Sequence, residues 1–361
     1  MEPADQPAQG PADAEVAGRA EAQALRDLLL GYRNTQLLYV AAKLGLPDLV
    51  ADTPKRSADL APALGVHPQA LHRVMRGLAL LGVLAEHDDG RFSLGPLGRH
   101  LLAGAPDGTA GAPGSLRTEA LIHGEEFYRT WGSLLSSVET GAPASRHLYG
   151  TSTWEHRAAH PELNEHFNRF MAAMTGQVAA AVLAAYDFSP YRTLVDVGGG
   201  HGALLAPILR AHPHLEGVLF DQPHVLAGAR AYLEAAGVAA RCRLVAGDFF
   251  AAVPPGADAY LLKWIIHDWD DERGAAILRT CRAAIGGGAG KVLLVERLLP
   301  ARAAQAPGTI YGDLTMLVIE GGRERTEAEY RALLAAAGLA LVRVVPTRSD
   351  FSVLEAVPHR A

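Results

Sequence analysis

Hydrophobic residues follow two different patterns, and the change between them falls near residue 190. From Thr193 onward, short apolar runs rich in Val, Leu and Ile alternate with stretches of helical periodicity. The runs are TLVDVGGG, GVLFDQP, CRLVAGDFF, AYLLKWIIHDW and KVLLVERLLP. Continuous apolar strands between helices are typical of a parallel sheet covered on both faces. With LALVRVVP and FSVLEAV as a final antiparallel pair, the pattern predicts a doubly wound α/β domain over residues 190–361.

The first part of the chain has a mainly helical pattern. Residues 1–18 are rich in Pro, Ala and acidic residues without periodicity, which predicts a mobile tail. Apolar residues recur at three- and four-residue steps from Leu25 to Leu44, and two short helical segments follow from Ser57 to Leu84. The segment VLAEHDDGRFSL alternates around Asp89-Gly90, as in a β-hairpin. Helix, turn, helix and hairpin predict a winged helix over residues 19–105.

A helical region is predicted between these two parts, over residues 106–189. Its segment HFNRFMAAMTGQVAAAVLAAY places Phe167, Phe170, Met171 and Met174 on one face of a helix. Such a face is usually core, and it lines a pocket only where an apolar ligand lies against it. The region therefore predicts a helical linker that can also contribute to substrate binding.

The charge of the chain bears on what the winged helix does. Lys and Arg number 33 against 39 Asp and Glu, a net charge of −6, which argues against a whole-chain nucleic-acid or anionic-membrane binder. Within the winged helix, the second helix offers only His72, Arg73 and Arg76 as groove-facing candidates. A DNA reader usually carries a clear basic stripe that neutralises several phosphates. We therefore expect this module to dimerise rather than to bind DNA.

Two cysteines, Cys242 and Cys281, are too few for a disulfide scaffold or a Cys-rich zinc site. The N-terminus has no basic segment followed by an apolar core, and no apolar run reaches the ~18 residues of a membrane span. These features predict a soluble, cytoplasmic protein.

A glycine-rich loop follows the first predicted strand. Gly198 and Gly200 let the backbone turn tightly and approach a ligand closely. With Ala203 they also meet a relaxed dinucleotide fingerprint, so an NAD-dependent oxidoreductase is an alternative. Asp196, just before the loop, suits an amino-acid moiety better than a pyrophosphate, and Asp221 after the second strand suits ribose hydroxyls. The loop thus favours S-adenosylmethionine, although dinucleotide folds also carry an acid where Asp221 stands.

The third predicted strand ends in Gly247-Asp248-Phe249. Asp248 can accept a hydrogen bond from an adenine amino group while Phe249 packs on the ring. Gly-Asp alone is more often just a turn. Its place at the third consecutive strand end favours a ligand contact.

His267, in the segment LKWIIHDWDDE, stands at the end of the fourth strand. Its ordinary pKa of ~6.5 suits a general base. The acids after it, residues 268–272, also fit the first turn of a helix that His267 merely enters. Glu296, ending the fifth strand, and Glu324 could orient the imidazole. Metal binding is a weaker alternative, because no helical HxxxH or clustered Cys spacing is present.

Several of these segments in one order resemble a known family, the small-molecule O-methyltransferases of the plant caffeate type and their bacterial counterparts that tailor aromatic natural products. The resemblance rests on LVDVGGGHG, FDQPHV, GDFF, LLKWIIHDWDDE and DLTMLVIEGGRERTEAEYRALLAAAG, and it extends from about residue 20 to residue 357. It implies a Rossmann-like domain that binds S-adenosyl-L-methionine, preceded by a winged-helix dimerisation domain through which the enzyme is a homodimer.

The resemblance also implies roles for individual residues. His267 matches the general base, and Glu296 and Glu324 match the two carboxylates beside it. The cofactor-binding positions that match are Gly198, Gly200, Asp221, Asp248, Phe249 and Lys263, and those facing the acceptor are Phe167, Met171 and Met316, with Trp154 as a weaker candidate. Beside the resemblance, we expect Asp196 to bind the cofactor and Asp268 to face the acceptor. No metal is implied.

The predicted reaction is methylation of a phenolic or enolic hydroxyl on a small aromatic acceptor. One alternative is an enzyme of the same fold that has diverged to hydroxylation, decarboxylation or a pericyclic step. The others are the NAD-dependent oxidoreductase and a winged-helix regulator with a ligand-sensing domain. The identity of the acceptor stays open.

Overall fold

The computed structural model describes residues 11–103 and 115–359, with side chains from residue 18 onward. The chain divides into two units. The first comprises residues up to 105 together with 115–125, and the second comprises the rest. No helix in the described ranges is both long and apolar enough to cross a membrane.

The first unit has the helix–turn–helix–hairpin order that the sequence predicts. Its core is built from Leu71, Met75 and Leu78 on one helix, packed against Phe92 of the hairpin. The expected tail of residues 1–18 overlaps the first helix from Pro11 on, and residues 1–10 lie outside the described residues. The elements are α1 (Pro11–Leu30), α2 (Tyr32–Leu44), α3 (Leu46–Leu49), α4 (Ser57–Leu64), α5 (Pro68–Leu80), the antiparallel strands β1 (Leu84–Glu86) and β2 (Phe92–Leu94), and α6 (Arg117–Ile122).

Helices also open the second unit. After a π-helical turn, His123–Phe127, come α7 (Tyr128–Trp131), α8 (Leu134–Thr140), α9 (Ala144–Tyr149), α10 (Thr153–Ala159) and α11 (Pro161–Ala185). Helix α10 starts at a capping box, in which Ser152 accepts from the backbone N–H of Glu155. On α11, Phe170 is buried, whereas Phe167, Met171 and Met174 stay half-exposed. The predicted face is therefore only partly core.

Seven strands form the sheet of the second unit. They are β3 (Thr193–Val197), β4 (Glu216–Asp221), β5 (Cys242–Ala246), β6 (Ala259–Lys263), β7 (Lys291–Arg297), β8 (Leu339–Pro346) and β9 (Phe351–Pro358). Their spatial order is β5-β4-β3-β6-β7-β9-β8. The first five are parallel, and β9 pairs antiparallel with both β7 and β8, which confirms the predicted final pair.

Both faces of this sheet are covered, as its continuous apolar strands predict. The remaining helices are α12 (Leu205–Ala211), α13 (Pro223–Leu226), α14 (Ala229–Ala235), α15 (Asp271–Ile285), α16 (Pro307–Ile319) and α17 (Glu327–Ala336). Strand residues such as Val195 and Leu262 pack with α15 and α17, whereas Leu194 and Leu261 pack with α11, α12 and α14. The chain reverses its direction across the sheet beside β3, so a ligand crevice is expected at the carboxyl ends of β3, β4 and β6.

Candidate active site

The glycine loop begins directly after β3. Gly198 and Gly200 have φ of 70° and 61°, a left-handed backbone that favours glycine. A Cβ at Gly198 would lie 2.5 Å from Cδ1 of Ile265, whereas at Gly200 nothing lies within 4 Å. The backbone N–H of Gly200 donates to Oδ2 of Asp221 at 2.8 Å. The loop is therefore tied to the end of β4 and leaves open backbone that a ligand can approach.

Asp196 lies beneath this loop. Its side chain is buried, and its Oδ2 has no hydrogen-bond partner among the described residues. Burial, together with the nearby carboxylate of Asp221, raises the pKa of Asp196 to about 7. A buried acceptor without a partner is costly unless a ligand or its own proton satisfies it. This orphaned oxygen fits a ligand that brings an ammonium group, as the amino-acid part of S-adenosylmethionine does.

Asp221 and Asp248 follow the neighbouring strands β4 and β5. Asp221 also accepts from the backbone N–H of Gln222 at 2.7 Å, and burial raises its pKa. Asp248 is exposed, and its Oδ1 accepts from the N–H of Phe250 at 2.8 Å. Phe249 is half-buried, with its ring edge-on to that of Phe250. The structure thus brings both carboxylates and an aromatic ring to the same sheet edge as the glycine loop.

Lys263 is the last residue of β6 and is buried. Its Nζ donates to Oγ1 of Thr175 on α11 at 2.8 Å. Burial lowers the pKa of Lys263 to about 7, against the opposing effect of the carboxylates of Glu296 and Asp196. Thr175 has no signal in the sequence pattern that would mark it as a contact of this lysine.

His267 lies in a single 3₁₀ turn, Ile266–Asp268, after β6. Its ring is buried, with Nδ1 3.1 Å from Oε1 of Glu324 and Nε2 3.3 Å from Oδ1 of Asp268. Because an ionised carboxylate only accepts hydrogen bonds, the first contact holds a proton on Nδ1. Burial lowers the pKa of His267, but the carboxylates of Asp268 and Glu324 outweigh it and raise the pKa to about 9.

Glu296 supports the same turn from β7. Its Oε1 accepts from the backbone N–H of Ile266 at 3.0 Å, and its Oε2 has no partner among the described residues. Burial raises the pKa of Glu296 to about 7. One donor atom each from His267, Glu296 and Glu324 lie within 4.8 Å of one another, so the set could also hold a metal ion. The structure thus brings together all three predicted catalytic residues.

The residues expected to face the acceptor come from α10, α11, α16 and the turn that carries His267. The rings of Trp154 and Phe167 meet edge-on at 5.9 Å. Met171 follows Phe167 by one helical turn and, like Met316 on α16, is half-buried. Burial raises the pKa of Asp268 to about 7, against the opposing charge of His267.

A buried charge cluster beside these residues has no signal in the sequence. Arg157 pairs with Glu126 at 2.5 Å and with Glu320 at 3.3 Å, and its guanidinium lies 3.6 Å from the ring centre of Phe167. The side chains of Arg157 and Glu126 are almost fully buried. The three charged residues are far apart in sequence, so no spacing rule could have linked them.

Two family models match this chain. Residues 131–340 match the model of the O-methyltransferase domain, and residues 26–104 match that of the O-methyltransferase dimerisation domain. The second match confirms that the first unit is a dimerisation module. The match to the O-methyltransferase domain argues against the two alternatives of an NAD-dependent oxidoreductase and a winged-helix regulator.

Individual relatives cover nearly the whole chain. The phenazine O-methyltransferase PhzM of Lysobacter antibioticus is 47% identical over 92% of this chain and 95% of its own length. The structure of the mitomycin 7-O-methyltransferase MmcR is 36% identical, with a TM-score of 0.87 over 96% of this chain and all of its own. NcsB1 from neocarzinostatin biosynthesis, solved with S-adenosylmethionine and 2-hydroxy-5-methyl naphthoic acid, is 32% identical, with a TM-score of 0.78 over 90% of this chain and 96% of its own. The chain therefore belongs to the O-methyltransferase family and is an S-adenosylmethionine-dependent O-methyltransferase of the secondary-metabolite type.

Proposed function

We propose that this enzyme methylates a phenolic or enolic hydroxyl of a small aromatic acceptor, with His267 as general base and without a metal ion. The observation that carries the proposal is the position of His267. The ring is buried at the carboxyl edge of the sheet, with Glu324 at one nitrogen and Asp268 at the other. A histidine held by a carboxylate at one nitrogen is a common arrangement for a base that acts through the other.

His267 acts on the acceptor through Nε2. A phenol with a pKa of ~10 stays mostly protonated at neutral pH, so a positioned base assists its oxygen as a nucleophile. Only the neutral ring can act, and the raised pKa of His267 makes that form a minority at neutral pH. In that form Nε2 takes the hydroxyl proton, and the imidazolium that forms is stabilised by Glu324 at Nδ1 and by Asp268. Glu296 holds the turn through the N–H of Ile266. S-adenosylmethionine supplies an activated methyl group on a sulfonium, which is why this chemistry requires no metal.

The cofactor is assigned to the edge formed by β3, β4, β5 and β6. Asp196 faces its amino-acid part beside Gly198 and Gly200, and Asp221 faces its ribose hydroxyls. Asp248 and Phe249 take the adenine, and Lys263 completes the same edge. The support for this assignment is the open loop backbone, the orphaned Oδ2 of Asp196 and the carboxylates at consecutive strand ends.

The acceptor is a planar, hydroxylated aromatic molecule of two or three fused rings. Half-exposed apolar surface for such a ring system is present on Phe167, Met171 and Met316. The carboxylate of Asp268 can accept a hydrogen bond from a polar substituent of the substrate. The phenazine and naphthoic acid in the names of the relatives have this shape. The enzyme acts as a homodimer through its first unit, in the cytoplasm and without a nucleic-acid partner.

The proposal is tested with His267→Ala and an exposed control, His359→Ala. Binding of S-adenosylhomocysteine is measured by calorimetry, and turnover by its release with hydroxyphenazine and hydroxynaphthoate acceptors. We expect His267→Ala to bind the product normally and to lose about 10²- to 10⁴-fold in turnover, while the control matches wild type. Near-wild-type methylation by His267→Ala would refute the base assignment.

Two further results would contradict other parts of the proposal. Loss of activity on treatment with a chelator, restored by a divalent ion, would contradict the metal-free reaction and make the set formed by His267, Glu296 and Glu324 the candidate metal site. Conversion of the acceptor without methyl transfer would show that the enzyme has diverged to hydroxylation, decarboxylation or a pericyclic step.

A further inference from the structure

Trp264, which directly follows β6, has an unusual backbone conformation. Its φ is 56°, and it is the only non-glycine residue with a positive φ in the described parts of the chain. A bulky residue in the left-handed region is a true outlier, and such strain persists only where the surrounding structure imposes it. Here the N–H of Trp264 donates to the carbonyl of Val295 on β7 at 3.2 Å. A strained residue three positions before His267 calls for a physical reason.

The indole of Trp264 lies among groups that carry or can acquire a positive charge. Its ring is parallel to that of His267 within 2°, with the ring centres 5.6 Å apart. Nζ of Lys263 lies 4.3 Å from the indole centre, and the guanidinium carbon of Arg297 lies 4.8 Å from it. All three distances are within the ~6 Å at which a cation is attracted to an aromatic face.

The indole packs against the apolar core, and a hydrogen bond does not account for its placement. Its Nε1 is buried and has no hydrogen-bond partner among the described residues, so a hydrogen bond does not hold the ring there. Phe351 packs edge-on against the ring at 4.8 Å and fixes its plane. What the ring offers to its neighbours is therefore its π face.

We propose that Trp264 is a positioning residue for methyl transfer, whose indole fixes the plane of the His267 ring and stabilises the positive charge that this ring gains with the acceptor's proton. The inference rests on the proposed role of His267 as the base. Successive strand residues point to opposite faces, and the left-handed turn at Trp264 interrupts that alternation where the chain leaves β6 for the turn that carries His267. The strain is thus the cost of bringing indole and imidazole into register.

Other charged groups also act on His267 and must be distinguished from the indole. Three carboxylates face His267, namely Asp268 on the same turn, Glu296 on β7 and Glu324 after α16. The charges of Glu320 and Arg157 shift the pKa of Asp268. Lys263 and Arg297 flank the indole. All of them are retained when only Trp264 is replaced. A change in the pKa of His267 then reports on the indole.

The test compares Trp264→Phe, which keeps an aromatic face, with Trp264→Leu, which removes it. Trp131→Leu, in α7, is the matched control. The pKa of His267 is followed by NMR of the labelled Cε1–Hε1 group, with the signal assigned by its absence in His267→Ala. We expect the pKa of His267 to fall by about 0.5–1.5 in Trp264→Leu, to fall less in Trp264→Phe, and to stay unchanged in the control. The midpoint of the pH profile of kcat should fall by the same amount, with affinity for S-adenosylhomocysteine retained.

The two readouts separate this inference from the function on which it rests. An unchanged pKa of His267 in Trp264→Leu would overturn the role of Trp264. A lowered pKa with an unchanged kcat profile would leave the indole contact standing but would show that His267 is not the base. If Trp264→Leu does not fold, the test rests on Trp264→Phe, in which we expect a smaller fall in the pKa of His267. An unchanged pKa of His267 in that variant would overturn the inference.

Discussion

Replacing Glu324 by Gln tests the electrostatics of the site most directly. Glu324 is almost fully buried, and its Oε1 lies 3.1 Å from Nδ1 of His267. Glutamine keeps the shape and can still accept the Nδ1 hydrogen bond through its amide oxygen, but it removes the charge. The substitution thus separates the electrostatic contribution of Glu324 from its geometric one.

The size of the effect follows from the distance. Two unit charges 3.1 Å apart attract by about 5 kcal/mol at an effective dielectric constant of about 20. The retained hydrogen bond and relaxation of the site reduce this loss, and an adjacent charge typically moves a pKa by about 1–3 units. We therefore expect the pKa of His267 to fall from about 9 to roughly 7 in Glu324→Gln.

The assay is the pH dependence of kcat/KM, which reports on the free enzyme. With a pKa of about 9, about one wild-type molecule in a hundred carries neutral His267 at pH 7. The wild-type rate should therefore rise about tenfold per pH unit from 7 to nearly 9. In Glu324→Gln the profile should level off near pH 7, at a lower plateau because the base is weaker.

Two controls make the result decisive. Glu327→Gln removes an exposed carboxylate three residues further on, and its profile should match that of wild type. A second acceptor with a more acidic hydroxyl shows whether the rise of kcat/KM with pH reflects ionisation of the phenol rather than of His267. A limb that follows the acceptor and does not move in Glu324→Gln would refute the reasoning.

Three more variants test the buried charges and the cofactor loop. Glu296→Gln should unfold at a higher temperature than wild type at pH 8 but not at pH 4. The reason is that burial raises the pKa of this carboxyl to about 7, so that ionising it costs up to about 3 kcal/mol of stability. Equal melting temperatures at pH 8 would contradict this. Gly198→Ala should weaken the binding of S-adenosylhomocysteine in calorimetry, because the new Cβ would lie 2.5 Å from Cδ1 of Ile265. The control Gly65→Ala, which has a similar φ but open space around the new Cβ, should bind normally. Arg157→Met should lower the free energy of unfolding in denaturant titrations by about 3–5 kcal/mol, because it leaves Glu126 buried and charged without its partner. Adding Glu126→Gln should recover part of the lost stability.

Most of the second unit could be predicted because parallel, doubly covered strands have a distinctive sequence pattern. Each strand is a short apolar run, and the polar residues at or just after its end lie at one common edge of the sheet. That rule predicts a shared edge for Asp196, Asp221 and Asp248 from the sequence alone, and the structure places all three there. The turn at Asp89-Gly90 likewise predicted the hairpin of the first unit.

Pairings between distant segments could not be predicted in this way. Glu126, Arg157 and Glu320 meet only because the helices that carry or adjoin them pack together. The left-handed backbone of Trp264 has no counterpart in residue preferences, which disfavour tryptophan there. The start of α1 at Pro11 lies within a segment whose composition predicts a tail.

The sequence by itself determined which residues reach the carboxyl edge of the sheet, because strand alternation and strand ends depend on local pattern. It could not determine how those residues share protons. The pKa of His267 depends on carboxylates that lie 1 and 57 residues away along the chain, and that of Asp196 depends on burial beneath its own loop. Desolvation and charge–charge interaction depend on distance in space. Only the tertiary structure therefore decided the protonation states on which the proposed chemistry depends.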